Sequence, residues 1–282
     1  MNRTSTTKLA NGVQMPVVGF GTWQTPDGEV AKESVKAALA AGYRHIDTAA
    51  AYGNETSVGE GIRESGIARE EIFLTTKLWN GIHTYEAAKM AIEESLRKLG
   101  TDYVDLYLIH WPNPIAVRDR WQDRNAGVWR AMEEALERGL IKAIGVSNFR
   151  GHHLDALAQT ATVQPMVNQI YLSPSDAQPE VVSASRERGL VVQAYSPLGT
   201  GTLLEVPEIV EIGAKYGKSP AQVAIRWSVQ NGFVPLPKSV TPSRIAANFD
   251  VFDFELSKED MAVLDALKGS GRMALNPDEA TF

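Results

Sequence analysis

One alternation, repeated eight times, constrains this chain more than any other feature. Apolar runs of strand length, PVVGFG (16–21), YRHID (43–47), IFLTTK (72–77), VDLYLIH (104–110), IKAIGVS (141–147), PMVNQ (165–169), LVVQAYS (190–196) and FVPLPKS (233–239), are separated by longer stretches with helical spacing and charged faces. The predicted helices include ETSVGEGIRESG, TYEAAKMAIEESLRKLG, AGVWRAMEEALERG and SPAQVAIRWSVQNG. Several end in glycine, the residue best able to turn left-handed after a helix, and Ser219 followed by Pro220 is a strong helix entrance. Eight strand-helix units in 282 residues, about 35 residues each, predict an α/β fold of the (β/α)8 TIM barrel type. An open doubly wound sheet would carry GxGxxG after its first strand, and GFGTW supplies only Gly19 and Gly21. Asn11-Gly12, between apolar residues, predicts a β-hairpin at the N-terminus, expected to cap the barrel bottom. No linker divides the chain, so residues 1–282 read as a single domain.

Composition narrows the partners. A net charge of −6 argues against nucleic acid or an anionic membrane and leaves a small molecule. The absence of cysteine removes disulfides, thiolate nucleophiles and cysteine metal sites. The first residues lack a signal-peptide core, and no run approaches the ~20 apolar residues of a spanning helix. A cytoplasmic monomer is the expectation.

In a (β/α)8 barrel the strand ends meet at one mouth. Here they carry Asp47, Lys77, His110, Ser147 with Asn148, Gln169, Tyr195 with Ser196, and Lys238 with Ser239. A barrel does not need polar groups there for its own stability. The second, third and fourth strands are neighbours, so Asp47, Lys77 and His110 converge, with Tyr52 on the loop beside them. A phenol titrating near ~10 becomes a useful acid when a nearby ammonium stabilises its anion. Lys77 is that ammonium, Asp47 keeps it charged and aimed, and His110 orients the substrate oxygen or relays a proton. Such a set protonates an oxygen that is gaining negative charge, as in carbonyl reduction. The hydride must come from a borrowed cofactor. Tyr195 can stack on a nicotinamide, and Ser147, Asn148 and Gln169 can bond its carboxamide. Lys238, Ser239, Thr241 and Arg244 gather at a helix N-terminus, an anion site whose forked guanidinium favours NADPH over NADH.

With GFGTW, GYRHIDTAAAYGNE, FLTTKLW, DLYLIHWP, IGVSNF, VNQIYLSP, AYSPLG and PKSVTPSRIAANFDVFDFEL in this order, the chain resembles the aldo-keto reductase superfamily over nearly its whole length. Within it the chain is most similar to bacterial 2,5-diketo-D-gluconate reductases, down to the tail GSGRMALNPDE. The resemblance implies Tyr52 as general acid, tuned by Lys77 and Asp47, with His110 orienting the carbonyl. It implies NADP (NADPH in reduction) bound without a Rossmann fold, with further contacts at Thr22, Trp23, Ser196, Leu198, Val240 and Asn248. It also implies a substrate pocket walled by Trp23, Trp79 and Trp111, which spacing alone would assign to packing. Position 247 is alanine where many relatives place glutamate, and Tyr195 stands where diketogluconate reductases carry tryptophan. The loop NPIAVRDRWQDRN and the tail set specificity in this resemblance, and an open pocket suits small polar carbonyls: diketogluconate-like, methylglyoxal-like or aromatic aldehydes.

Other titratable groups read as structural. His152 and His153, adjacent on a helix, are expected to point apart, which argues against a metal site. Asp105, inside a strand, is expected to bond backbone or a neighbouring lysine. The rival function is that of a nucleotide-binding accessory subunit with vestigial turnover. A barrel isomerase is disfavoured because no strand ends in a glutamate.

Overall fold

A computed structural model describes residues 1–282. The chain opens with the hairpin β1 (Thr6–Lys8) and β2 (Gln14–Pro16). Eight parallel strands follow: β3 (Phe20–Gly21), β4 (His45–Asp47), β5 (Phe73–Leu78), β6 (Leu106–Ile109), β7 (Ile144–Ser147), β8 (Val167–Tyr171), β9 (Val191–Tyr195) and β10 (Val234–Leu236). They pair in sequence order, and two hydrogen bonds, Gly19 N to Pro235 O and Gly21 N to Pro237 O, both 3.0 Å, join the last strand to the first. The result is the expected (β/α)8 barrel.

Helices α1 (Glu29–Ala41), α2 (Glu55–Glu64), α3 (Tyr85–Leu99), α4 (Trp121–Glu137), α5 (Gly151–Ala158) and α6 (Pro179–Glu187) alternate with the strands. Then come α7 (Pro207–Tyr216), α8 (Pro220–Gln230), α9 (Pro242–Phe249) and α10 (Lys258–Asp265). The expected cap at Ser219 is present as a full capping box, its Oγ accepting Gln222 N at 3.3 Å and its N donating to Gln222 Oε1 at 3.0 Å. Gly42 ends α1 at φ 108°, a conformation that side chains resist. At Gly59 a Cβ would sit 2.2 Å from Leu99 O, so the backbone of α2 lies directly on the end of α3.

The structure departs from the sequence reading at several points: β3 is only Phe20–Gly21, with Pro16 in the hairpin strand β2, and β10 stops at Leu236, short of Lys238 and Ser239. Helices α7 and α10 had no counterpart in that reading, since each lies outside the strand-helix repeat. Residues 121–125, read as loop, form the start of α4, and Ile115–Arg120 before them are a 3-10 helix. Strand β8 runs two residues past Gln169, to Tyr171.

The period-two alternation of the strands sorts side chains by height and side. Leu74, Leu78, Tyr107, Ile109, Ile144 and Val146 face the helices and join a 37-residue core. A second apolar cluster fills the β8–β9 side beneath α7 and α8. Inside the barrel, Phe73, Leu106, Leu108, Val167 and Val234 form a floor, sealed from below by Leu9 and Met15 of the hairpin. The hairpin therefore caps the bottom. Higher on the same inward rows stand Thr75 then Lys77, and Gln169 then Tyr171. No helix is long and apolar enough to cross a membrane.

Candidate active site

Asp47 closes β4, Lys77 is the penultimate residue of β5, and His110 follows β6. Tyr52 ends the 3-10 turn Ala50–Tyr52, just after β4. The structure brings all four together. Lys77 Nζ donates to Asp47 Oδ1 at 2.6 Å and to Thr48 O at 2.8 Å, and lies 3.3 Å from the Tyr52 hydroxyl. The rings of Tyr52 and Trp79 meet His110 edge to face, at 5.8 and 5.5 Å between centres. Asp47 Oδ2 accepts Gln169 Nε2 at 2.8 Å, so both carboxylate oxygens are occupied.

Burial governs the electrostatics. It raises the Asp47 carboxyl and lowers the Lys77 ammonium, while their mutual attraction opposes both shifts. The sequence reading expected Lys77 to lower the Tyr52 pKa. Instead burial, with the Asp47 carboxylate second, pushes the phenol well above its usual range. The cost of desolvating a phenolate is the larger cause, and the nearby carboxylate adds to it. The phenol thus stays protonated and can release its proton only to a strongly basic oxygen. Burial and the Lys77 charge hold His110 well below the usual imidazole value, so its ring is neutral. His110 Nδ1 is buried without a partner, which leaves Nε2 to serve a ligand.

Tyr52 and His110 open onto a cavity of about 1110 Å³. It exceeds the ~300–1,000 Å³ of ordinary small-molecule pockets. Of the residues named from sequence, Trp23, Asp47, Tyr52, Trp79, His110, Trp111, Ser147, Asn148, Gln169, Tyr195, Ser196, Leu198, Lys238, Ser239, Arg244 and Asn248 line it. Lys77 is fully buried and acts on the cavity only through its neighbours. Thr22, Val240 and Thr241 do not line it. The Thr22 hydroxyl donates inward to Asp47 O at 3.0 Å, Val240 faces solvent, and Thr241 is the residue that leads into α9. Trp23 and Trp79 are more than one-third exposed at the mouth, contrary to a packing role, and Trp111 is buried against Phe282 at 4.9 Å.

The polar wall is held by its own bonds. Asn148 Nδ2 donates to His110 O at 3.0 Å and Ser147 Oγ at 3.1 Å, and Asn148 Oδ1 accepts the Tyr195 hydroxyl at 2.9 Å. Gln169 Nε2 serves both Asp47 and Gln193 Oε1, so Oε1 is its group left for a ligand. Four of the five non-glycine residues with positive φ, namely Gln24, Asn148, Ser196 and Thr200, line the cavity. Such backbone costs roughly 1–3 kcal/mol per residue and persists where surrounding contacts fix it. At the far end Ser239, Ser243 and Arg244 surround the first turn of α9, and the Arg244 guanidinium has no partner in the chain.

Sequence reasoning missed several lining residues. Tyr171 was recoverable, because it continues the inward row through Val167 and Gln169. Ser219 and Pro220 read from sequence only as a helix entrance, and Ala221 only as part of the helix that follows. Arg272, Met273, Leu275 and Phe282 come from the irregular tail, whose path no local pattern dictates.

The two histidines of α5 also depart from expectation. Their rings lie 3.9 Å apart and both reach Asp278, His153 Nε2 at 2.9 Å and His152 Nε2 at 3.4 Å. They sit in the first turn of the helix, where His153 folds back to accept Arg150 N on Nδ1 at 3.1 Å. Nε2 therefore carries the proton that it gives to Asp278, and a metal ion there would have to displace that proton and break the cap. The cluster works as a pin for the tail, which Asn113 also holds at Asp278 Oδ1 with a 2.9 Å bond.

Residues 17–268 match the aldo/keto reductase family. The chain belongs to that family. Glyoxal reductase of Bacillus subtilis is 49% identical over 277 residues, covering 98% of each chain. A 9,11-endoperoxide prostaglandin H2 reductase of Trypanosoma cruzi is 44% identical over 273 residues, covering 96% of this chain and 94% of that protein. Among solved structures, an aldo-keto reductase of Bombyx mori in complex with NADP superposes at a TM-score of 0.87 with 35% identity, covering 96% of this chain and 95% of that one. A Gox0644 mutant in complex with NADPH gives 0.91 at 39% identity over 99% of both chains. Aldo-keto reductases are NADP-dependent oxidoreductases of carbonyl compounds, and the cavity accommodates that cofactor in size and in the unpaired guanidinium at one end.

Proposed function

We propose that this chain is an NADPH-dependent reductase of small polar aldehydes and ketones, with methylglyoxal-like, 2,5-diketo-D-gluconate-like and aromatic aldehyde substrates. It works as one domain, residues 1–282, and as a cytoplasmic monomer. The observation that carries the reading is the Lys77 ammonium, 3.3 Å from the Tyr52 hydroxyl and 2.6 Å from Asp47, beside a cavity of dinucleotide size. The similarity to a glyoxal reductase supports small dicarbonyls.

Bound NADPH supplies hydride to the carbonyl carbon. Tyr52, kept protonated by burial, gives its proton to the carbonyl oxygen as that oxygen becomes an alkoxide. Lys77 stabilises the phenolate left behind, and Asp47 keeps Lys77 charged and aimed. His110, neutral, directs an N–H at the same oxygen and holds it beside the phenol. Trp23, Trp79 and Trp111 wall the substrate. Ser147, Asn148 and Gln169 would hold the carboxamide of the cofactor and Tyr195 would offer its ring to the nicotinamide, with Ser196, Leu198 and Asn248 lining the same cavity. Lys238, Ser239 and Arg244 hold its phosphates at α9, where a guanidinium favours the 2′-phosphate and so NADPH over NADH.

The test follows NADPH absorbance with methylglyoxal, a diketogluconate and an aromatic aldehyde. Tyr52→Phe is expected to lose about 10²–10⁴-fold in kcat, the usual worth of a general acid, while NADPH affinity barely changes. Turnover near wild type in that variant removes Tyr52 as the acid. Wild-type protein that binds NADPH but reduces none of the three supports the accessory-subunit alternative.

A further inference from the structure

Four charged side chains line the cavity: Asp47, Lys238, Arg244 and Arg272. Three are accounted for. Asp47 is matched by Lys77, Lys238 Nζ donates to Gln24 O at 3.1 Å, and Arg244 stands at the α9 turn assigned to the cofactor phosphates. Arg272 is left over.

Its backbone is fixed by three elements. Arg272 N donates to Thr202 Oγ1 at 3.1 Å, and Arg272 O accepts the Tyr171 hydroxyl at 2.5 Å and Ser175 Oγ at 2.8 Å. Two residues on, Ala274 N donates to Asp176 Oδ2 at 2.9 Å. The side chain, by contrast, makes no hydrogen bond and no ion pair. Its guanidinium carbon stands 5.9 Å from the centre of the Trp23 ring, at the mouth. Trp23 is one of the aromatics assigned to the substrate wall, so the Arg272 guanidinium stands against that wall. A free guanidinium on an anchored backbone, beside an exposed aromatic face, offers two parallel donors to a planar anion at small entropic cost.

We propose that Arg272 is a specificity-determining residue that selects carbonyl substrates bearing a carboxylate. The inference rests on the reductase reading and deepens it: the carbonyl sits at Tyr52 and His110, and the anionic end of the molecule is held at the rim. The same guanidinium could instead meet a phosphate of the dinucleotide, and the test separates the two sources.

The probes are para-formylbenzoate against its methyl ester, and succinic semialdehyde against butanal. In the wild type the anion of each pair is the better substrate, and its advantage shrinks as salt is added. Arg272→Gln is expected to lower kcat/KM for both anions about tenfold or more, chiefly through KM, as for one lost charge-assisted contact. The neutral partners should stay within about twofold, and Arg272→Lys should recover part of the loss by keeping the charge. NADPH affinity, read from tryptophan fluorescence, should be unchanged in Arg272→Gln. Equal losses on anionic and neutral probes, an unchanged preference, or a weakened NADPH affinity that accounts for the loss each overturn the proposal. A wild type that reduces all four probes while Arg272→Gln keeps their ratios sinks this inference alone. A wild type that reduces none sinks the reductase reading with it.

Discussion

Removing the Lys77 ammonium while leaving Asp47 in place tests whether the pair supports the fold or the chemistry. The Lys77 side chain is 0% exposed and that of Asp47 4%. In Lys77→Met the carboxylate keeps Gln169 and loses its only cation at 2.6 Å. Breaking a buried pair in this way costs about 3–5 kcal/mol, because one charge remains uncompensated. For a chain of this size that is a fall of roughly 6–10 °C in melting temperature. Adding Asp47→Asn removes the stranded charge, so the double variant should regain about 2 kcal/mol or more. The loss also depends on pH, with a definite sign. With the cation gone, burial raises the folded carboxyl further above its unfolded value near ~3.9. A raised carboxyl stabilises the fold at acid pH, and that contribution is lost as pH rises. The deficit of Lys77→Met should therefore be larger at pH ~8 than at pH ~5, and the double variant should lack this dependence. Both should remain depressed in NADPH-linked turnover by about 10²–10⁴-fold, because neither offers the phenolate a cation. Thermal melting across pH and steady-state rates check both halves. A double variant no more stable than Lys77→Met, or one whose turnover recovers with its stability, refutes the assignment.

Reduction rates should show no limb near the ordinary imidazole value of ~6.5, because His110 is held well below it, and should fall only on the alkaline side, earlier than a free lysine would dictate, as Lys77 loses its proton; a pH-rate profile of kcat/KM checks this. Asp278→Ala frees the tail from Asn113, His152 and His153, and is expected to raise KM several-fold with little change in kcat or in NADPH affinity. Arg244→Ala should weaken NADPH binding about tenfold or more and NADH binding far less, as measured by fluorescence titration.

How much of this was legible depended on whether local pattern or tertiary path decided it. The eight strands were readable because each is a short apolar run, and the hairpin because Asn11-Gly12 demands a turn. Asp47, Lys77 and His110 could be brought together because parallel neighbours in a barrel put their ends side by side, a rule of topology that needs no coordinates. The tail residues could not be found that way. Arg272 is positioned by Thr202, Tyr171 and Ser175, partners up to 101 positions away with no periodicity linking them. The His152 and His153 geometry was misread because an ideal helix was assumed, whereas both lie in a first turn where a ring can fold back on the backbone. The Tyr52 pKa was misjudged for a related reason. Sequence supplies the charges in a site but not their depth, and depth determines which of them prevails.

The barrel interior gives the ion pair its meaning. Alternation puts apolar side chains at the floor and polar ones above, and a hydrogen-bonded chain climbs from Met15 Sδ through Gln193 and Gln169 to Asp47, Lys77 and Tyr52. Every link up to Lys77 is buried and only the last, at Tyr52, meets the cavity, so the charges below are shielded from water and none of the donors need reorient when the phenol ionises. A buried pair of this kind seldom adds net stability over apolar residues of similar volume. An apolar filling would therefore have served the barrel at least as well. What apolar residues could not do is hold a cation beside Tyr52 at a fixed distance while an alkoxide forms next to it, and the Lys77 variants above ask whether that is the reason the pair is there.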